Sequence, residues 1–209
     1  GRAELRGSVG WQPDETWQLS GHIASLDTGL FDTRLAGRIS FDMDANGEGF
    51  SPEGQLDLRI ARLGGVLRGG RASGAGRVIR RGEALDFRDV DVRIGSTRAR
   101  LDGGLAPDAW SLRFDVTADD LGLLDAEARG RFATRGTLGG SPDAPEIDAT
   151  LHGEGIDYKD TRLASLDGRM KFDARPDQPL EVKLGVRGLT KGARHIEAID
   201  FMAQGTTAH

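Results

Sequence analysis

Along most of the chain hydrophobic residues fall at every second position, and glycine repeatedly takes a place on the same apolar side. In the clearest stretch Leu35, Gly37, Ile39, Phe41 and Met43 alternate with Ala36, Arg38, Ser40, Asp42 and Asp44. A period of two is that of a β-strand with one dry and one wet side. Leu166, Gly168, Met170 and Phe172 repeat it against Asp167, Arg169, Lys171 and Asp173, and Gly21, Gly130, Gly136 and Gly153 lie on apolar sides in the same way. Glycine weakens a strand unless its missing side chain is needed. Its recurrence therefore predicts a sheet that curves sharply or leaves room over its inner face, which is the pattern of a groove.

Read this way, the chain predicts twelve strands, over 15–24, 34–44, 55–62, 72–79, 84–95, 97–105, 109–117, 126–138, 146–158, 162–174, 179–188 and 195–205. From Leu85 and Phe87 to Val90, Val92 and Ile94 the parity slips by one residue, as a β-bulge requires. Turns are expected at Ala45-Asn46-Gly47, Gly69-Gly70, Pro107-Asp108, Gly139-Gly140-Ser141-Pro142 and Arg175-Pro176-Asp177. One helical turn is expected, at Asp119 to Leu124. A Gly-Arg-apolar unit recurs inside strands at Gly37-Arg38-Ile39, Gly76-Arg77-Val78, Gly130-Arg131-Phe132 and Gly168-Arg169-Met170, at unequal intervals. The expected fold class is all-β: one elongated, curved, mainly antiparallel sheet forming a groove over residues 1–209, about 55 Å long at the usual strand spacing.

Composition agrees. Of 209 residues 31 are glycine, 37% are hydrophobic and 6% aromatic, which is lean for a close-packed globule and suits a single curved layer. The net charge of −5 comes from Arg and Asp alternating along strands, so no basic patch points to nucleic acid. Cysteine is absent, which removes thiol catalysis and thiolate metal sites. No apolar run approaches the roughly 20 residues of a membrane-spanning helix. The chain starts at Gly1 without a leader peptide, as a segment cut from a longer protein would.

Candidate chemistry is sparse. Asp42, Asp44, Asn46 and Glu53 match the spacing of an EF-hand calcium loop. Their flanks read as strand rather than helix, however, so a polar hairpin loop is expected there and no metal site. His22, His152, His195 and His209 fall on polar sides and read as solvated surface. Gly69 to Gly74 lacks the helix of a phosphate cradle. No nucleophile motif or distinguished carboxylate pair is present, so no catalytic residue, enzyme activity or cofactor is expected. The outward rows Arg129, Arg131, Arg135 and Asp167, Arg169, Lys171 read as solubilising cross-strand charge.

The functional candidate is the apolar face itself. It comprises Trp17, Leu19, Ile23, Ile39, Phe41, Leu56, Leu58, Ile60, Trp110, Leu112, Phe114, Val116, Met170, Phe172, Val182, Leu184 and Val186. These residues either form a sandwich core or line an open channel.

Residues Arg135-Gly136-Thr137-Leu138-Gly139-Gly140-Ser141-Pro142-Asp143-Ala144-Pro145-Glu146-Ile147 resemble the Gly-x-Leu-x-Gly-x-x-x-x-Pro cassette of the TamB family, within the AsmA-like group. Gly155 to Tyr158, Leu163 to Met170 and Val92 to Leu105 resemble it in the same style. The resemblance implies a taco-shaped β-sheet with a hydrophobic interior, located in the periplasm, with an inner-membrane anchor outside this segment. It implies phospholipid as the partner carried toward the outer membrane in the groove lined by the residues above, and a TamA-type outer-membrane barrel as protein partner in outer-membrane protein assembly. Two rival readings are an assembly scaffold that templates incoming strands by β-augmentation, and an adhesin-like solenoid with a dry core.

Overall fold

A computed structural model of the chain describes residues 1–11, 15–30, 36–49, 54–175 and 177–206, and all of its extended secondary structure is antiparallel β-strand. The chain forms two compact units, Gly1–Gly95 with Ala99–Ala106, and Ser96–Arg98 with Pro107–His209. The first holds β1 (Arg2–Gly10), β2 (Thr16–Asp27), β3 (Gly37–Glu48), β4 (Gln55–Leu67), β5 (Gly70–Arg81), β6 (Ala84–Ile94) and most of β7 (Thr97–Leu105). The second holds β8 (Trp110–Ala118), β9 (Ala128–Gly140), β10 (Pro145–Tyr158), β11 (Thr161–Asp173), β12 (Pro179–Lys191) and β13 (Arg194–Thr206). In the first unit β1 to β6 pair side by side in chain order, and in the second β8 to β13 do the same.

The all-β, antiparallel expectation is met, and each predicted strand is present within a few residues of its expected ends. One strand was not expected. β1 alternates Ala3, Leu5, Gly7 and Val9 with charged and polar residues, and only Leu5 and Val9 are bulky. Its period is correct, but its apolar content is too small to separate it from a polar tail.

The expected turn at Ala45-Asn46-Gly47 is a correction. These residues continue β3: Ala45 faces Leu19 and Leu58, Asn46 faces Gln18 and Asp57, and Gly47 faces Trp17 and Leu56. Gly47 is there to make room, since a Cβ on it would come within 2.6 Å of the Trp17 ring and 2.3 Å of the Gln55 carbonyl oxygen. Asp42, Asp44 and Asn46 are therefore strand positions and not a polar hairpin loop, while Glu53 lies outside the described residues, as do Leu35, Pro176 and His209. The expected turns after β4 and β7 are present, and the helical turn is a 3-10 turn at Leu121–Leu123, its first amides capped by the Asp120 carboxylate on the Gly122 N–H at 2.9 Å.

The bulge expected between Phe87 and Val90 is real: the β5–β6 register shifts between Ala75 and Arg77, and Asp89 has a φ of 49°. Comparable shifts interrupt β2 beside Ser25, β4 between Ile60 and Leu63, and β10 between Glu154 and Asp157. Each extra residue bends its strand and increases local twist.

Neither unit carries a second layer of its own strands. Among the described residues no large side chain is less than 2% exposed. A sandwich would seal its aromatic and branched residues between two sheets; here, apart from Leu67, Ile79 and Val186, the described ones stay half-buried or exposed.

Candidate functional site

Register and alternation together decide which residues share a face. In the first unit one row runs through Leu19, Ala45, Leu58, Val78 and Phe87 on five successive strands. Neighbouring rows run through Ile23, Phe41 and Leu63, through Met43 and Ile60, and through Leu26, Ile39, Gly65, Ala72 and Ile94. A further row begins at Trp17 and passes Gly47, Leu56, Arg80 and Leu85. All eight candidates from this half of the chain thus fall on one face, and all are half-buried.

The second unit repeats the arrangement. Its rows are Phe114, Gly136, Ala149, Met170, Val182 and Ala203; then Val116, Thr134, Leu151, Gly168, Leu184 and Phe201; then Ala118, Phe132, Gly153, Leu166, Val186 and Ile199. Leu112, Leu138, Ile147 and Phe172 make a fourth, with Trp110 opposite Gly140 at its margin. The nine candidates here again share one face, Val186 buried and the rest half-buried.

Several rows interleave bulk with glycine. A Cβ on Gly168 would lie 2.9 Å from Leu151 Cγ, so the leucine lies over the neighbouring backbone where a side chain would otherwise stand. A depression of about 530 Å³ is lined by Leu151, Gly168, Leu184 and Phe201 of the apolar row together with Asp167, Arg169, Lys183, Gly185 and Asp200 of the charged rows. The apolar face is accessible. On β13 Ile199 and Phe201 of this face are 37% and 53% exposed.

Opposite faces carry charge in register. Glu4, His22, Asp42 and Arg62 form one row, in which His22 Nδ1 lies 2.8 Å from Asp42 Oδ1 and Arg62 Nε donates to Asp42 Oδ2 at 2.7 Å. The hydrogen bond with His22, followed by that from Arg62, holds the Asp42 carboxyl below the usual carboxylate range. In the second unit His152 Nδ1 lies 2.6 Å from Asp167 Oδ1 and its Nε2 3.2 Å from Glu154 Oε1, while Arg131 donates to Glu154. Asp167 first, then Glu154, raises the His152 pKa. Arg77 forms a two-pronged pair with Asp57, which holds that carboxyl down. These are the solvated charged rows that the alternation predicts, with Arg59 and Arg113 both exposed on them. Among the described residues no group of three His, Asp or Glu side chains is arranged to hold a metal ion.

The register adds to the apolar faces residues outside the candidate groove set: Met43, Phe87 and Leu166, which the alternation already puts in apolar stretches, and Leu63, Val78, Leu138, Ile147, Leu151 and Phe201. Their alternation was present in the sequence and sufficient to find them. Arg80 gave no such signal, because a cation two residues after Val78 reads as a strand end.

No helix of the described residues is long and apolar enough to cross a membrane. Comparison with known proteins matches the chain to a family. Residues 1–209 match the model of the TamB N-terminal domain. A curated relative, the translocation and assembly module subunit TamB of Haemophilus influenzae, is 21% identical over 186 residues, covering 88% of this chain and 14% of that protein. No solved structure matches. With two open antiparallel β-units whose rows are apolar on one face and charged on the other, and with a family match over its whole length, the chain belongs to the TamB N-terminal domain family.

Proposed function

We propose that the chain is a non-enzymatic segment of a periplasmic lipid conduit, whose apolar faces shield phospholipid acyl chains during movement between the inner and outer membranes. The observation that carries this reading is the run of apolar rows over β2 to β6 in the first unit and β8 to β13 in the second, interrupted by one charged residue among those described, Arg80, and uncovered by a second layer of the same unit, with most of their residues half-buried. A two-chain phospholipid carries some 30 methylenes, and at about 0.8 kcal/mol each their exposure to water costs more than about 20 kcal/mol. A trough of leucine, valine and phenylalanine removes most of that barrier without chemistry. An open margin leaves the headgroup hydrated. The relative's role in a translocation and assembly module supports the reading, with a TamA-type outer-membrane barrel as the expected protein partner and the membrane anchor elsewhere in the protein.

Native mass spectrometry of the purified chain tests it. Phospholipid should co-purify and leave on extraction with detergent; a lipid-free chain that takes up none from vesicles would end the proposal.

A second reading is an assembly scaffold for outer-membrane proteins, in which an edge of a one-layer antiparallel sheet templates an incoming strand by β-augmentation. Crosslinks from an edge strand to an unfolded barrel substrate, without lipid in the trough, would favour this role over the first.

A further inference from the structure

On the apolar rows of β1 to β6 Arg80 is the one charged side chain among the described residues. It stands between Leu56 on β4 and Leu85 on β6, in the row that begins at Trp17. It is half-buried, its Nε is buried without a hydrogen-bond partner, and one of its terminal nitrogens donates to the Gly54 carbonyl at 3.1 Å. A guanidinium offers five N–H donors in a planar fork matched to phosphate and carboxylate. Among the described residues no acidic side chain answers this one, although Arg59, Arg77 and the other arginines of the sheet stand on the charged face where carboxylates are in register. A partly desolvated cation without a counter-anion is costly, and the cost falls when an anion arrives.

The place suits an amphiphile. At this end of the sheet a depression of about 240 Å³ is bounded by Trp17, Leu56 and Arg80 from the apolar row and by Gln18, Asn46, Glu48, Gln55, Asp57 and Arg81 from polar rows, with Glu48 hydrogen-bonded by Gln55 and Asp57 paired with Arg77. Beyond it the rows through Leu58 and Ile60 are wholly apolar.

We propose that Arg80 is the anion-binding end of the first unit's apolar face, holding the phosphate of a two-chain phospholipid whose acyl chains lie along the adjoining rows. This rests on the lipid-conduit reading and adds to it a fixed orientation for the lipid. With a net charge of −5 the chain as a whole repels anions, so attraction of an anionic lipid has to come from a local cation.

The experiment titrates the 209-residue chain with monomeric dihexanoyl phosphatidylglycerol, with neutral dihexanoylglycerol and with inorganic phosphate. Arg80→Gln should weaken phosphatidylglycerol binding about tenfold and leave the neutral lipid unchanged, with Arg80→Lys recovering part of the loss. Raising salt from about 0.05 to 0.5 M should weaken phosphatidylglycerol binding to the unmodified chain and spare the neutral lipid, a readout that needs no variant. Unchanged binding by Arg80→Gln, salt-independent binding, or inorganic phosphate bound as tightly as the phospholipid would each overturn the assignment while leaving the conduit intact. Failure of the unmodified chain to bind either lipid would remove the conduit, and the Arg80 site with it.

Discussion

The Trp17 indole lies across Gly47 on the neighbouring strand and donates its Nε1–H to the Gly49 carbonyl at 3.1 Å. A tryptophan on an apolar row thus ends at a polar group, and the strand beneath it must lack a side chain. Gly47→Ala should destabilise the chain by about 1–3 kcal/mol, because the new methyl meets both ring and backbone. Urea midpoints measure this; an unchanged midpoint would mean that the Trp17 contact is loose.

Gly155 and Gly188 both hold left-handed backbone, with φ of 55° and 58°. Nothing lies within 4 Å of a Cβ built on Gly155, whereas one on Gly188 would be 2.8 Å from the Ala164 Cβ. Gly155→Ala should therefore cost about 1–2 kcal/mol from backbone strain alone, and Gly188→Ala more. In a double-mutant cycle Ala164→Gly should recover part of the Gly188→Ala loss, and additive effects would show that the two positions do not touch.

The His152 pKa is raised in the folded chain by Asp167 and Glu154. Its protonated form therefore contributes stability that is fully present below the unfolded value near 6.5 and is lost as pH rises through the higher folded value. The melting temperature of the unmodified chain should exceed that of His152→Gln most at pH below about 6.5, with the gap shrinking as pH rises above it. A gap that widens with pH would reverse the assigned linkage.

A charge on an apolar row should act differently from one on a polar row. Leu58→Asp sets a carboxylate among Ala45 and Val78, and should cost about 1–3 kcal/mol as well as removing bound lipid. Arg59→Glu, one residue away on the exposed charged face, should stay within about 0.5 kcal/mol and keep its lipid. Melting temperature and lipid occupancy measured on the same samples separate misfolding from a blocked trough. Equal lipid loss in both folded variants would contradict the two-faced account.

What the sequence made legible is the alternation. Phe41, Leu58, Phe114 and Leu184 could be assigned to one kind of face from parity alone, and the slip between Phe87 and Val90 marked a bulge before any pairing was known. Pairing was not legible. Gly47 looks like a turn residue because Asn-Gly usually is one; its role depends on Trp17, thirty positions away in the chain and adjacent only through the β2–β3 register. Arg80 looks like a strand terminus, and only its place between Leu56 and Leu85 shows a cation on an apolar row. The missed β1 has the right period with too little bulk, and it is fixed by its register with β2, where Leu5 faces Gly21 and Val9 faces Trp17.

The central claim is that acyl chains travel on the apolar faces, and site-specific photocrosslinking tests it most directly. A photoreactive phenylalanine analogue would be placed at Leu58 or Phe114 on the apolar rows, and at Arg59 or Arg113 on the charged ones. After irradiation in cells, mass spectrometry should find phospholipid adducts at positions 58 and 114 and none at 59 or 113. Equal lipid adducts from both faces, or protein adducts alone from the apolar positions, would contradict the account.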